Sequence, residues 1–192
     1  AYAPVILSFD IGTYIYLWAV NDSTRPVSGT VKIQLYHLQQ TEFRKEIVRE
    51  LTLEPGKSRV VVRLDEAGIR AFRKEHVLFA QWTASDGKVI ARSNALADIE
   101  RRCIFPDARL DVSVEGSSLV ITTDKFARNI NLVGNADGEK LGWFFEDNYF
   151  DLFPGEKKVV QVLGHHQKGV ISAKPWYSPH ETKVDYEKST DI

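Results

Sequence analysis

The sequence predicts an all-β chain of two consecutive antiparallel sandwiches. Three observations carry this: short apolar runs at regular spacing, turn signals between them, and an internal echo at an offset of about 100 residues. In the first half the runs are Val5-Phe9, Tyr14-Val20, Thr30-Leu35, Ile47-Leu53, Arg59-Leu64, Val77-Thr83 and Val89-Leu96. Turn formers such as Asn21-Asp22-Ser23, Pro55-Gly56 and Asp86-Gly87 punctuate them. Val31, Ile33 and Leu35 alternate with Lys32, Gln34 and Tyr36, and Val60, Val62 and Leu64 alternate with Arg59, Val61 and Arg63. A period of two gives each such strand one core face and one outward face.

Asp65-His76 breaks the pattern, with Ile69 and Phe72 three apart among charged residues, and reads as a helical turn crossing between sheets. Val77-Thr83 and Val89-Leu96, joined through Ala84-Lys88, read as a hairpin. Between Asp98 and Asp107 the periodicity lapses into a charged stretch closed by Pro106, which marks the domain boundary. Runs resume at Leu110-Val114, Leu119-Thr123, Asn129-Val133, Leu141-Phe145, Val159-Leu163 and Val170-Ala173. The expected division is therefore 1–104 for the first sandwich, 105–178 for the second and 179–192 for a polar tail. That tail has only Val184, Tyr186 and Ile192 to bury and is expected to need a surface to hold it. The second sandwich is short enough to lean on a neighbour.

The halves repeat one another. Leu53-Glu54-Pro55-Gly56 corresponds to Leu152-Phe153-Pro154-Gly155, and Leu17-Trp18-Ala19-Val20-Asn21-Asp22 to Leu119-Val120-Ile121-Thr122-Thr123-Asp124. In the first pair proline sets φ and glycine accepts a positive φ just before a strand, so the shared feature is a turn and not an active site. Sandwiches of this size and spacing are of the immunoglobulin-like kind.

Composition excludes several functions. Lys+Arg, 25, balance Asp+Glu, 26, which removes the basic footprint of a nucleic-acid or anionic-membrane binder. No apolar run reaches the ~20 residues of a membrane helix, and Ala1-Tyr2-Ala3-Pro4 does not start a signal peptide. The absence of methionine, position 1 included, points to a chain that begins within a longer reading frame. The single cysteine, Cys103, precludes an internal disulfide and reads as buried or incidental. Asn21-Asp22-Ser23 fits a glycosylation sequon, a triplet common by chance.

Nucleotide loops, zinc motifs and nucleophile elbows are all missing, so no catalytic residue and no cofactor is predicted. His165-His166 with His180 read as exposed loop histidines rather than metal ligands, because neighbours in a strand point to opposite faces. Glu146, Asp147 and Asp151 place three carboxylates within six residues, part of a calcium site or, alternatively, caps at a corner between sheets. Trp143, Tyr149, Trp176 and Tyr177 form an aromatic group that either stacks on sugars or fills the core; Trp143-Phe144-Phe145 must bury at least one ring.

The run Asp147-Asn-Tyr-Phe-Asp-Leu-Phe-Pro-Gly-Glu156 resembles the C-terminal immunoglobulin-like domain of β-mannosidases of glycoside hydrolase family two. Ala3-Pro-Val-Ile-Leu-Ser-Phe9 with Leu17-Trp-Ala-Val-Asn-Asp-Ser23 is similar to the start of the preceding sandwich in those enzymes. The resemblance implies an accessory region that carries no catalysis itself and packs on the catalytic barrel of a parent chain. That parent would remove terminal non-reducing β-D-mannose in a periplasmic, extracellular or lysosomal compartment; related glucosaminidases carry similar tails. A carbohydrate-binding module taking an oligosaccharide, or a stand-alone protein-binding sandwich, are the alternatives on the same fold.

Overall fold

A computed structural model describes residues 3–65, 70–136, 142–164 and 168–187, with the side chains of 65 and 70–72 left aside. Two compact units, Ala1–Ile104 and Phe105–Ile192, divide the chain. The all-β sandwich expected from the spacing is what forms.

In the first unit the strands are β1 (Val5–Ile11), β2 (Tyr14–Asn21), β3 (Val27–His37), β4 (Glu42–Leu53), β5 (Lys57–Asp65), β6 (His76–Thr83) and β7 (Val89–Leu96). They form a three-stranded sheet, β1-β2-β5, and a four-stranded sheet, β4-β3-β6-β7, with antiparallel pairing throughout. Alternation decides which side chains meet between the sheets. Along β2, Ile15, Leu17 and Ala19 are wholly buried while their neighbours point outward. Leu17 and Ala19 pack, with Leu7, against Val31, Ile33, Ala80 and Trp82 of the facing sheet, while Ile15 packs with Leu35, Leu78 and Ala97. Of the proposed helical crossing, Arg70–Glu75 is a 3-10 helix, His76 already belongs to β6, and 66–69 lie outside the described residues. The β6–β7 hairpin closes as expected, with the Gly87 amide donating to the Ala84 carbonyl at 2.9 Å.

The sequon asparagine has a structural role. Asn21 is wholly buried; its Nδ2 donates to the carbonyls of Arg25 and Leu53, both at 2.9 Å. Its Oδ1 accepts from the Ser23 amide at 3.0 Å and the Ser23 hydroxyl at 2.6 Å. Every donor and acceptor position of the carboxamide is thus used to tie the end of β2 to the end of β4.

The second unit repeats this route. Its strands are β8 (Leu110–Glu115), β9 (Ser118–Thr123), β10 (Ala127–Asn135), β11 (Phe150–Leu152), β12 (Lys158–Gln161), β13 (Lys168–Lys174) and β14 (Thr182–Glu187). The sheets are β12-β9-β8 and β11-β10-β13-β14, strand for strand the arrangement of the first unit. Both Pro-Gly turns fall between the fourth and fifth strands, and both glycines take positive φ, 66° at Gly56 and 81° at Gly155. Where Asn21 stands in the first unit, Thr123 stands in the second, its hydroxyl donating to the carbonyl of Lys125 at 2.6 Å.

Two readings are corrected here. No strand spans Leu141-Phe145: position 141 lies outside the described residues, and the residues after it make only an isolated bridge, Phe145 with Val162. The 179–192 segment is not simply a polar tail, because Thr182–Glu187 is the edge strand β14, paired with β13 from Ala173 back to Lys168. Tyr186 is buried in the core and Val184 packs against it, while Lys183, Asp185 and Glu187 face out. The approach to β14 is fastened by Ser178, whose hydroxyl donates to the Ala108 carbonyl at 2.8 Å, and by His180, 3.0 Å from Asp107. Desolvation pushes the Asp107 carboxyl up, but hydrogen bonds from Ser178 and His180 with the charges of His180 and Lys125 outweigh it and hold it below its usual range.

Candidate functional site

The segment from Gly142 to Leu152 carries most of the candidate residues, and its path is set by packing. Trp143 is 8 % exposed and meets the Tyr186 ring edge-on at 5.8 Å. Two glycines make room for it: a Cβ at Gly134 would lie 2.1 Å from the indole, and one at Gly169 2.7 Å. Any larger residue at these strand positions would occupy the space of the ring. Trp143 is therefore chiefly a core residue, only a small part of it reaching the shallow depression beside Tyr149, which corrects its assignment to an exposed carbohydrate-stacking group.

Beyond Trp143 the chain is pinned by one side chain that imitates a strand. The Asn148 carboxamide accepts from the Leu132 amide at 2.8 Å and donates to the Leu132 carbonyl at 3.0 Å, the two bonds a neighbouring backbone would make. Tyr149 then takes φ 60°, a left-handed conformation uncommon outside glycine, and donates its amide to Ile130 at 2.8 Å. This turn swings the Tyr149 ring outward to 56 % exposure. Beside it lies a shallow depression of about 190 Å³, bordered by Asn131, Phe145, Asn148 and Tyr149. Trp176, 61 % exposed and just beyond β13, is anchored by its amide, which donates to the Arg128 carbonyl of β10 at 2.9 Å. Tyr177 stacks one face on Phe105, centroids 4.3 Å apart and planes 8° from parallel.

The three carboxylates do not converge. Asp151 is ion-paired with Arg128 and accepts the Asn129 amide at 2.9 Å, satisfying a bulge where Asn129 has φ 46°. Asp147 is ion-paired with Lys158 and caps the Asn148 amide at 2.9 Å. Glu146 is exposed, and only its backbone is fixed, to Gln161 at 2.9 Å. Among the described residues no group of three potential ligands is found, so the calcium reading of Glu146, Asp147 and Asp151 gives way to ion pairs and caps. His165 and His166 lie outside the described residues; His180 is engaged with Asp107. Cys103 is half-buried at the end of the 3-10 helix Glu100–Arg102, its Sγ near the carbonyls of Ile99 and Asp98.

A wider depression of about 580 Å³ on the β13–β14 side is lined by Asn135, Lys168, Val170, Asp185 and Glu187. Its two carboxylates sit two residues apart on one strand, side by side. Glycoside hydrolysis needs an acid and a base or nucleophile on opposite sides of the bond. What sequence reasoning overlooked is the role of Asn148, Gly134 and Gly169; an amide and isolated glycines in a strand region were the available signals.

The comparisons agree with this architecture. Residues 13–98 match the family model described as a Mannosidase Ig/CBM-like domain, and residues 105–174 match an Ig-fold domain. No curated protein sequence matches the chain. Among solved structures, the exo-chitosanase CsxA of Amycolatopsis orientalis superposes with a TM-score of 0.71 at 15 % identity, over 95 % of this chain and 26 % of that one. A β-D-mannosidase from Dictyoglomus thermophilum gives 0.64 at 14 % identity, over 99 % of this chain and 22 % of that one. This chain thus spans about a quarter of the length of the solved proteins whose fold it shares. Two sandwiches in tandem, each matched by its own family model, identify the chain as a Mannosidase Ig/CBM-like domain followed by an Ig-fold domain.

Proposed function

We propose that the chain is the non-catalytic accessory region of a β-mannosidase-like glycoside hydrolase, whose catalytic barrel, elsewhere in a parent polypeptide, removes terminal non-reducing β-D-mannose. The observation that carries this reading is the succession of the two family matches, in order, on two consecutive sandwiches. Mannose is favoured over glucosamine by the first domain's match and by the Asp147-Glu156 run. The sandwiches fill their interiors with side chains, so the chemistry falls to a domain with a deep, water-controlled pocket. The isolated 192 residues should release no nitrophenol from an aryl β-mannoside above buffer, whereas the parent should hydrolyse it in preference to the aryl β-glucosaminide. Turnover by the isolated chain that vanished in Glu146→Gln or Asp147→Asn would sink the accessory reading.

A sugar-binding reading is favoured by one observation, the exposure of Tyr149, Trp176 and part of Tyr177. Only a shallow depression adjoins Tyr149, which offers few of the convergent polar groups that orient a bound sugar. Titration calorimetry with mannosides is therefore expected to give at best millimolar affinity. A micromolar dissociation constant lost on Trp176→Ala would establish a binding module instead.

A further inference from the structure

The strongest unexplained feature is an aromatic stripe on the outside of the first unit. Tyr14, Tyr16, Trp18 and Val20 alternate with the buried residues of β2, so all four face away from the core. A bulge in β5 opposite Leu17 and Trp18 breaks the alternation expected for Val60, Val62 and Leu64: Val61 and Val62 both pack on the core and Val60 turns outward. Register therefore places Trp18 between Ser8 and Val60, Val20 between Ile6 and Ser58, and Tyr16 between Asp10 and Arg63. The Arg63 guanidinium lies 3.9 Å over the Tyr14 ring, and Tyr14 meets Tyr16 edge-on at 6.2 Å.

The second unit supplies an internal control. The same face of its three-stranded sheet is polar around a single apolar pair, of which Val120 is buried and Val159 exposed. Ser118 lies between Glu115 and Gln161, and Thr122 opposes Asp111. Only Val120 and Val159 are apolar there, at the places of Trp18 and Val60. The topology shared by the two units hence does not call for Tyr16, Trp18, Val20 or Ile6 on the outside. Something else must favour them.

Resting on the proposed accessory role, we infer that this face of β1-β2-β5 is the surface on which another domain of the same longer polypeptide docks. Its composition is that of a protein interface: an apolar middle of Trp18, Val20, Ile6 and Val60, and a rim where Tyr14, Arg63 and Asp10 offer polar ends. A glycan fits less well, since aliphatic side chains stand where sugar hydroxyls would need partners and Arg63 already covers the Tyr14 ring. The chain's share of its solved relatives, 26 % and 22 %, leaves ample polypeptide to supply the docking domain.

Hydroxyl-radical footprinting of the 192-residue chain and of the parent polypeptide tests this directly. Oxidation of Tyr14, Tyr16 and Trp18 should fall several-fold in the parent. Equal oxidation in a parent that cleaves aryl glycosides overturns the docking face while leaving the proposed function standing; a parent without glycosidase activity removes the function itself. The double variant Trp18→Ser, Val60→Thr should lower the unfolding midpoint of the parent and leave that of the isolated chain in place. An equal drop in both would make the stripe an internal structural element, against the inference. So would a dimer of the isolated chain dissolved by Trp18→Ser, or retardation in a mannan gel abolished by it.

Discussion

Trp143→Ala is expected to cost the second unit about 3–5 kcal/mol, enough to unfold it or bring it to the edge of unfolding. The indole sits between two β10 and β13 glycines that have no other way to fill the space, so the cavity cannot collapse around an alanine. The same geometry predicts coupling. Gly134→Ala alone should be severely destabilising, because its methyl would lie 2.1 Å from the ring, yet much milder in a chain already carrying Trp143→Ala. Urea unfolding of the three variants measures both effects. A Trp143→Ala variant with unaltered midpoint, or strictly additive penalties, would show that the ring is not the centre of this core.

Asn21→Ala should be the most damaging single change at a polar residue of the first unit. It removes four hydrogen bonds at a wholly buried site and strands the carbonyl of Leu53 without its partner. An unsatisfied buried group costs about 1–3 kcal/mol, and two carbonyls and an amide are affected, which puts the loss at roughly 2–4 kcal/mol where water reaches part of the site. Asn21→Asp should be comparable, since its carboxylate would face two carbonyl oxygens in place of two donors. Thermal unfolding of both variants decides it. The same burial makes the sequon inaccessible in the folded chain, so protein passed through a secretory pathway should show no mass shift on deglycosylation at Asn21.

The strands of strong alternation were legible from residue types alone, and so was the echo of the Pro-Gly turns, because both depend on local backbone preference. Trp143 was harder to place. Trp143-Phe144-Phe145 has the composition of a strand, but the chain there only skirts the sheet, and the slot that swallows the indole is made by glycines on two other strands, Gly134 and Gly169. The last strand escaped for the opposite reason. Thr182, Val184 and Tyr186 alternate with Lys183, Asp185 and Glu187, a proper edge-strand pattern that low overall hydrophobicity disguised as a tail. The carboxylates of 146–151 suggest a metal cluster because they are close in sequence; Arg128 and Lys158, which claim two of them, come from other strands. Long-range partners of this kind leave no mark in the local pattern.

Two copies of one seven-strand route in tandem carry a hazard during synthesis and refolding: a strand of one copy can enter the place of its counterpart in the other, the misassembly to which neighbouring like domains are prone. Divergence between the copies guards against it. The fourth strand has twelve residues in the first unit and three in the second, so β11 cannot cover the edge of β3 that β4 occupies, and β4 in its stead would collide with the Asn148 turn. Swapping the second strands would bury nothing wrong, yet would leave Thr123 where the carbonyls of Arg25 and Leu53 require both protons of an amide. Mismatched lengths and private hydrogen-bond partners thus let each half recognise its own strands while the overall plan stays the same.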